Sequence, residues 1–245
     1  MAPPPIVARR TWLHTAVSVF QAVLLSGVPT LLLTTGVVFL GLGMDPMAGD
    51  ALSLGFIATV TLLDTAFVAL LIRLFLTLNG ETSNDVFVGP RQPLAEVLRG
   101  LWLVPASFLG VTAVVLAVRQ FAPALHNVPD NPLAQLMSSP FDAGILLVVV
   151  VLGGGVKEEL QRAFILHQFR HTRTGRAVTL VLFSLLFGAL HYDQGWDVSI
   201  GVGLLGLFWG VLYYRRGSAL MSMANHAGFN AVQVLSFVFL TSMRS

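Results

Sequence analysis

The last third of the chain carries a small set of side chains able to perform acid–base chemistry. They are Glu158, Glu159, Arg162, His191, His226 and Asn230. Each lies in a stretch that is otherwise apolar enough to span a membrane. A charged side chain in hydrocarbon costs about 2.5–3.5 kcal/mol on insertion scales, so such groups face a protein interior or a wet cavity. Carboxylates, imidazoles and an amide that converge inside a helical bundle indicate hydrolysis within the membrane.

The spacing of the first cluster gives its two glutamates different neighbours. Glu158 and Glu159 lie four and three residues before Arg162, so each is its neighbour on a helix. The two glutamates point about 100° apart. One of them can therefore face a site while the other pairs with Arg162. An ion pair that only fixes helix packing fits the same spacing.

The two histidines lie on later helices, and each has a simpler interpretation when taken alone. His191 near the end of a span fits an interfacial or packing residue, and His226 with Asn230 fits a hydrogen bond between helices. The estimated depths of these residues in the membrane favour a shared site. Counted from the predicted cytoplasmic ends, Glu158, His191 and His226 lie roughly 18, 22 and 14 Å deep at 1.5 Å per residue. We therefore expect three helices to bring their polar groups to similar levels.

The composition is that of a polytopic membrane protein. Of 245 residues, 55% are hydrophobic and 11% are charged, against about 25% charged in a soluble domain. The mean hydropathy is +0.79, and no long polar stretch remains to build a soluble domain. The absence of cysteine excludes a cysteine nucleophile and thiolate metal ligands. The 13 arginines lie mostly in loops, so membrane orientation explains the basic charge and we expect no nucleic-acid partner.

Seven apolar segments are long enough to span a bilayer, which needs roughly 20 residues each. They are about 14–42, 51–78, 95–118, 141–169, 176–192, 197–214 and 218–241. We therefore predict an all-α membrane bundle forming a single integral membrane domain over 1–245. Within it, 1–140 supplies N-terminal spans and a loop, and 141–241 forms the catalytic core.

The distribution of arginines predicts the orientation. A cytoplasmic N-terminus and seven spans give the cytoplasmic side nine loop arginines and the opposite side two, in accord with the positive-inside rule. The nine are Arg9, Arg10, Arg91, Arg99, Arg170, Arg173, Arg176, Arg215 and Arg216, and the two are Arg119 and Arg244. We expect an integral protein of a prokaryotic cytoplasmic membrane.

Three motifs, taken together and in order, resemble those of the CPBP intramembrane peptidases. That family includes the type II CAAX prenyl endopeptidases and bacteriocin-immunity or abortive-infection proteins. Its motifs are Glu-Glu-x-x-x-Arg, Phe-x-x-x-His and His-x-x-x-Asn or Asp. The second and third are present as Phe187 with His191 and as His226 with Asn230. The resemblance covers roughly residues 141–235, including the run from Gly206 to Ser218 that leads into the third motif.

The first motif departs from the family pattern because the arginine arrives one position early, in Lys157-Glu158-Glu159-Leu160-Gln161-Arg162. Two registers are possible. Anchoring on the glutamates makes Glu158 the base, whereas anchoring on the arginine puts Lys157 in the place of the base. We favour the first register, because a lysine replaces a carboxylate poorly beside imidazoles. A local wide turn can absorb the missing residue, and Gly153–Gly155 supply backbone freedom.

The resemblance implies hydrolysis of a peptide bond in a membrane-associated polypeptide, within the lipid bilayer. In its metal-dependent form, His191 and His226 hold a divalent ion, expected to be zinc, and Glu158 or Asn230 completes the shell. In its metal-free form, Glu158 and His191 activate water while His226 and Asn230 hold the oxyanion. Prenylated CAAX tails are the best-known eukaryotic substrates of the family, and the substrate of this chain stays open.

Two further functions fit the sequence. A non-catalytic membrane scaffold or immunity protein that retains the fold is favoured by the lysine register. A small transporter using Glu158 and His191 as a proton relay predicts internal repeats, which the sequence does not show.

A few other polar residues are interpreted structurally. Asp64, in the middle of a span, needs a partner, for which Arg73 or the cavity is a candidate. His167 and His171 are expected to be solvated in an arginine-rich loop.

Overall fold

A computed structural model describes residues 12–49, 51–129 and 132–243. This part of the chain is almost entirely helical. Its α-helices are α1 Trp12–Leu24, α2 Val28–Gly36, α3 Leu54–Asn79, α4 Pro93–Trp102, α5 Val104–Phe121, α6 Pro140–Val149, α7 Glu159–Gln168, α8 Arg173–Ala189, α9 Trp196–Arg216 and α10 Leu220–Ser242. The chain is thus the all-α protein expected from its composition.

Shorter elements link these helices. Three π-helical segments cover Val37–Gly41, Asn84–Val88 and Val150–Glu158, and 3₁₀ turns cover Pro123–Leu125, Pro132–Leu136 and Tyr192–Gln194. Two-residue strands β1 (Met47–Ala48) and β2 (Ala51–Leu52) pair antiparallel, with Met47 opposite Leu52. The π segment Val150–Glu158 joins α6 to α7 without a break, so Pro140–Gln168 is one long helix.

Helix ends follow local signals in the sequence. The Ser139 hydroxyl accepts a hydrogen bond from the Asp142 backbone amide at 3.1 Å, and Pro140 occupies the first turn of α6. Ser53 and Thr172 cap α3 and α8 in the same way. Helix α9 ends at Gly217, whose φ of +60° is readily adopted only by glycine. The apolar segment predicted at about 141–169 thus begins as a helix at Pro140.

Within the described ranges, four helices are long and apolar enough to cross a membrane. They are Leu54–Asn79, Pro93–Phe121, Pro140–Gln168 and Trp196–Arg216, and the pair α1 with Val28–Gly41, bent by 47°, makes a fifth if it counts as one span. Large apolar side chains that face outward, such as Trp102, Phe121 and Phe141, suit contact with lipid. The chain is therefore an integral membrane protein.

The prediction of seven spans is not matched by this count. Helices α8 and α10 occupy the predicted segments 176–192 and 218–241, but α8 has only 17 residues and α10 carries the polar pair His226 and Asn230. Of the arginines that decided the orientation, Arg9, Arg10 and Arg244 lie outside the described residues. The cytoplasmic N-terminus stays a prediction.

Helix α10 packs closely against the π segment because two glycines of a run of three, Gly154 and Gly155, line their contact, while Gly153 faces α3. A Cβ on Gly155 would lie 2.6 Å from the Cα of Ala227, and a Cβ on Gly153 would strike the Thr61 side chain of α3. Only glycine therefore permits the observed approach of α10, which carries His226, to the segment that carries Glu158.

Replacing Gly155 with alanine should test this close approach. We expect Gly155→Ala to lower the free energy of unfolding by about 1–3 kcal/mol, because the added methyl group overlaps backbone atoms. The measurement is equilibrium unfolding of purified protein in mixed micelles. Gly144→Ala in α6 is the matched control, since no atom lies within 4 Å of its added Cβ. Equal stability of the two variants would contradict the packing described above.

Candidate active site

The centre of the site is a buried group of one carboxylate, one guanidinium and one imidazole. Glu159, in the first turn of α7, forms an ion pair with Arg162 one turn later. Its Oε1 atom also accepts a hydrogen bond from Nδ1 of His226 on α10, at 3.1 Å. All three side chains are almost completely buried. Two residues 67 positions apart in the chain thus meet directly.

The contacts of His226 determine where its ring proton lies. Because Arg162 pairs with the same carboxylate oxygen, Glu159 acts as an ionised acceptor and Nδ1 of His226 carries the proton. In the neutral ring, Nε2 then has a free lone pair. This atom faces Glu158, whose Oε2 lies 3.8 Å away, and Glu158 is the more exposed glutamate at 26% of its side chain. A carboxylate and an imidazole nitrogen, both able to accept a proton, therefore face each other, and the carboxylate is partly exposed.

Aromatic rings surround the charged group. The indole of Trp209, fully buried on α9, stacks on the His226 ring with centroids 3.8 Å apart and planes 16° apart. The Arg162 guanidinium lies 4.5 Å from the ring centre of Phe187 and 5.2 Å from that of Trp209. These are cation–π distances, and such contacts strengthen where water is excluded. They compensate in part for guanidinium nitrogens that lack hydrogen-bond acceptors among the described residues.

Trp209 is itself held by a short polar chain. Its Nε1 donates to Oδ1 of Asn225 at 2.8 Å, and Nδ2 of Asn225 donates to the carbonyl of Gly100 at 3.0 Å. These bonds connect α9, α10 and α4. Trp209 and Asn225 support the imidazole and were missed in the sequence analysis, although both lie in or beside the run that resembles the family. Only their contact with His226 and its helix distinguishes them from ordinary core residues.

His191 joins the site through Phe187. It follows the last turn of α8, and its Nδ1 donates to the Phe187 carbonyl at 2.8 Å. The Phe187 ring centre lies 4.8 Å from that of His191 and 6.0 Å from that of His226. With Nδ1 committed to a carbonyl, Nε2 is the atom that a neutral His191 offers to a ligand or substrate.

Asn230 lies one helical turn after His226, beside the π segment. Its Nδ2 donates to the Val150 carbonyl at 3.0 Å, which leaves one amide hydrogen and the amide oxygen for other partners. Gly154 provides the necessary space, since a Cβ there would strike Asn230 and approach Nε2 of His226. The six candidate residues therefore lie around one region of the bundle, with Glu159, Arg162 and His226 in direct contact.

A wide turn lies directly before Glu159, where residues Val150–Glu158 form a π-helix, and the α-helix resumes at Glu159. Because a π-helix takes up an extra residue, it does not replace the residue that the first motif lacks. The stretch from Glu159 to Arg162 is regular α-helix, so the early arginine lies one turn after Glu159 and pairs with it. Lys157 does not face the imidazoles, because its Nζ donates to Oδ2 of Asp64 at 2.7 Å. Asp64, for which Arg73 or the cavity was the candidate partner, thus pairs with Lys157 instead.

The expectation of solvated histidines was wrong for His167. Helix α7 continues through Gln168, so His167 stays inside the bundle, with Nε2 2.8 Å from Oε1 of Glu81 and Nδ1 3.2 Å from the Tyr213 hydroxyl. His171 is exposed, as expected. The arginine-rich sequence around it suggested a longer loop than the chain forms.

Few donor groups in the site are free to bind a metal ion. In the described part of the chain, no group of three or more His, Asp or Glu side chains is arranged to hold a metal ion. Nδ1 of His226 is committed to Glu159, and Nδ1 of His191 to a carbonyl, so only their Nε2 atoms are available. This arrangement does not form a complete zinc shell of the usual kind. The zinc site stays a prediction, and no catalytic step below depends on it.

Part of the chain matches a known protein family. Residues 140–232 match the model of the Rce1-like family, type II CAAX prenyl endopeptidase Rce1-like. This match confirms the family resemblance inferred from the three motifs, and the matched segment contains all six candidate residues. No curated protein and no solved structure matches the chain significantly.

Proposed function

We propose that this chain is an intramembrane endopeptidase that hydrolyses a peptide bond in a membrane-associated polypeptide. The observation that carries the proposal is the meeting of Glu158 and Glu159 with His226 beside Arg162, inside a bundle built from membrane-capable helices. The match to the Rce1-like family supports the reaction class. Membrane lipid is the expected surrounding partner, and the charge distribution gives no reason to expect a nucleic acid.

In the proposed mechanism, a water molecule lies between Glu158 and Nε2 of His226. Glu158 takes a proton from this water as the oxygen attacks the substrate carbonyl carbon. Glu159 and Arg162 hold His226 in one tautomer and orientation, much as a buried carboxylate orients the histidine of a hydrolytic triad. Glu158 then passes the proton to the departing amide nitrogen, which leaves as an amine. One water is consumed and one C–N bond is broken.

The oxyanion formed by this attack needs donors. The free amide hydrogen of Asn230 is one candidate, and Nε2 of a protonated His191 is the other. If a divalent ion is present, the Nε2 atoms of His191 and His226 with Glu158 or Asn230 are the groups that would hold it, and it would supply Lewis-acid polarisation of the carbonyl. The residue roles above do not require that ion.

The substrate proposed is a polypeptide whose cleavage point lies at or within the bilayer. The family description suggests lipidated C-terminal tails as one class to test. A prokaryotic cytoplasmic membrane is the proposed location. The scaffold alternative predicts that the chain keeps its fold and lacks hydrolytic activity.

Cleavage of a library of membrane-inserted peptides, including prenylated C-terminal tails, tests the proposal. We expect purified protein in liposomes to produce new termini detectable by mass spectrometry, and His226→Ala to lose this activity. A parallel sample is stripped of metal, analysed by plasma emission and resupplied with zinc. Recovery only with zinc supports the metal-dependent form, and full activity without metal supports the other. A folded wild type that cleaves no peptide in either sample favours the scaffold alternative.

A further inference from the structure

The only lysine of the chain lies inside the bundle, next to the proposed catalytic base. Lys157 is the residue before Glu158, and its side chain is 10% exposed. Its partner Asp64, on α3, is completely buried. A charge at this depth is costly, and a buried ion pair is weak evidence for stability because apolar residues of similar size often replace it without loss. A role other than stabilising the fold is therefore needed to explain why the Lys157–Asp64 pair is buried here.

The position of the pair in the helix suggests that it sets the register. Lys157 is the next-to-last residue of the π segment, directly before the regular α-helix that carries Glu159 and Arg162. Three glycines precede it in this segment, so the local backbone has unusual freedom. If the wide turn relaxed to an α-helix, side chains on one side of it would rotate by about 100° relative to those on the other. Glu158 would then point elsewhere.

We infer that the Lys157–Asp64 ion pair is a positioning device that locks the π segment in the register presenting Glu158 to His226. This inference rests on the proposed function. Lys157 is held toward α3, while the next residue faces α10. Asp64 also lies outside the segment that matches the family, so the N-terminal half contributes a positioning residue to the site. Fixing register is the best-attested use of a buried polar pair.

Three variants separate positioning from charge compensation. Asp64→Asn and Lys157→Gln each break the pair, and Asp64→Leu combined with Lys157→Met replaces it with apolar groups. We expect each single variant to lower both stability and kcat. The double variant should regain stability while its kcat stays about 10- to 100-fold low, because small misplacements of a catalytic group have effects of this size. KM should not change. A double variant with the kcat of wild type would overturn the inference.

A cysteine reporter makes a second test that needs no enzymatic activity. The chain contains no cysteine, so Glu158→Cys gives one thiol at the position of interest. We expect the maleimide labelling rate at residue 158 to change severalfold when Asp64→Asn is added. Cysteine at the exposed Thr174 position should label at one rate in both backgrounds. An unchanged rate at residue 158 would overturn the inference.

Asp197→Asn is the matched control substitution. Asp197 is also a fully buried aspartate paired with a cation from another helix, since Nε of Arg119 donates to its Oδ2 at 2.7 Å. We expect this variant to change stability without changing labelling at residue 158. An equal change in labelling with Asp64→Asn and Asp197→Asn would show general loosening and overturn the inference.

The proposed function and the inference about the ion pair can fail separately. If the folded wild type cleaves no peptide, the proposed function fails while the labelling result still decides the register question.

Discussion

Replacing Glu158 with glutamine should reduce kcat by about 10²–10⁴-fold, the usual contribution of a general base. Glutamine keeps the size of the side chain and removes its ability to accept a proton from water. Because Glu158 makes no ion pair with Arg162 in this structure and is partly exposed, the fold should be little affected. The measurement is the initial rate of peptide cleavage in liposomes, with the folded fraction determined by size-exclusion chromatography.

Glu81→Gln is the matched control for this prediction. The Glu81 side chain has a similar exposure, 23%, but lies in a separate network with His167 and Arg170. We expect its kcat to stay near that of the wild type. Wild-type kcat in Glu158→Gln would contradict the assignment of Glu158 as the base and would turn attention to Glu159.

Removing the Arg162 side chain should cause the largest loss of stability. Arg162→Met leaves Glu159 buried without its ion-pair partner, and breaking a buried pair in this way costs about 3–5 kcal/mol. It also removes the cation that lies over Phe187 and Trp209. The measurement is the free energy of unfolding in mixed micelles. We further expect the combined variant Arg162→Met with Glu159→Gln to regain part of this loss, because no unpaired charge remains.

Arg99→Met serves as the control for charge removal. Its side chain is more than half exposed, and its partner Glu96 keeps a second arginine, Arg216. Because the Arg99 end of the pair is exposed and Glu96 keeps Arg216, we expect a loss of at most about 1 kcal/mol. Equal losses in Arg162→Met and Arg99→Met would contradict the view that Arg162 neutralises a buried carboxylate at the site.

The sequence was most informative about positions along a single helix. Spacing alone placed Arg162 beside both glutamates, and estimated depth brought His226 to the same level as the first motif. The glycine run indicated backbone freedom in the part of the chain that forms the π segment. All of these inferences depend on positions along one helix or on its rise per residue, which sequence determines well.

Contacts between distant helices were harder to predict. The sequence offered Arg73, on the same helix, as a candidate partner for Asp64. In the structure, α3 places Asp64 against Lys157, which is 93 residues away along the chain. The bond from Trp209 to Asn225 and the stacking of Trp209 on His226 depend on how α9 and α10 pack. A sequence pattern gives the face of a helix but not the neighbour on that face. The prediction of seven spans is not confirmed for a related reason, since polar residues directed to the site lower the hydropathy of α10.

The location of the polar pairs also shows that the two parts of the chain are not independent. The family match begins at residue 140, yet Asp64 and the Gly100 carbonyl hold residues within the matched segment. The N-terminal helices therefore also help to position residues of the site. Substitutions in α3 and α4 are expected to affect the geometry around His226.

Peptide cleavage in ¹⁸O-labelled water is the most direct measurement of the central claim, which is that Glu158 activates water beside His226. Wild-type protein should give a product whose new C-terminal carboxylate carries one heavy oxygen from the solvent, and Glu158→Gln should give almost none of this product. Product formed at the same rate by Glu158→Gln, or no cleavage by the folded wild type across the peptide library, would contradict the account.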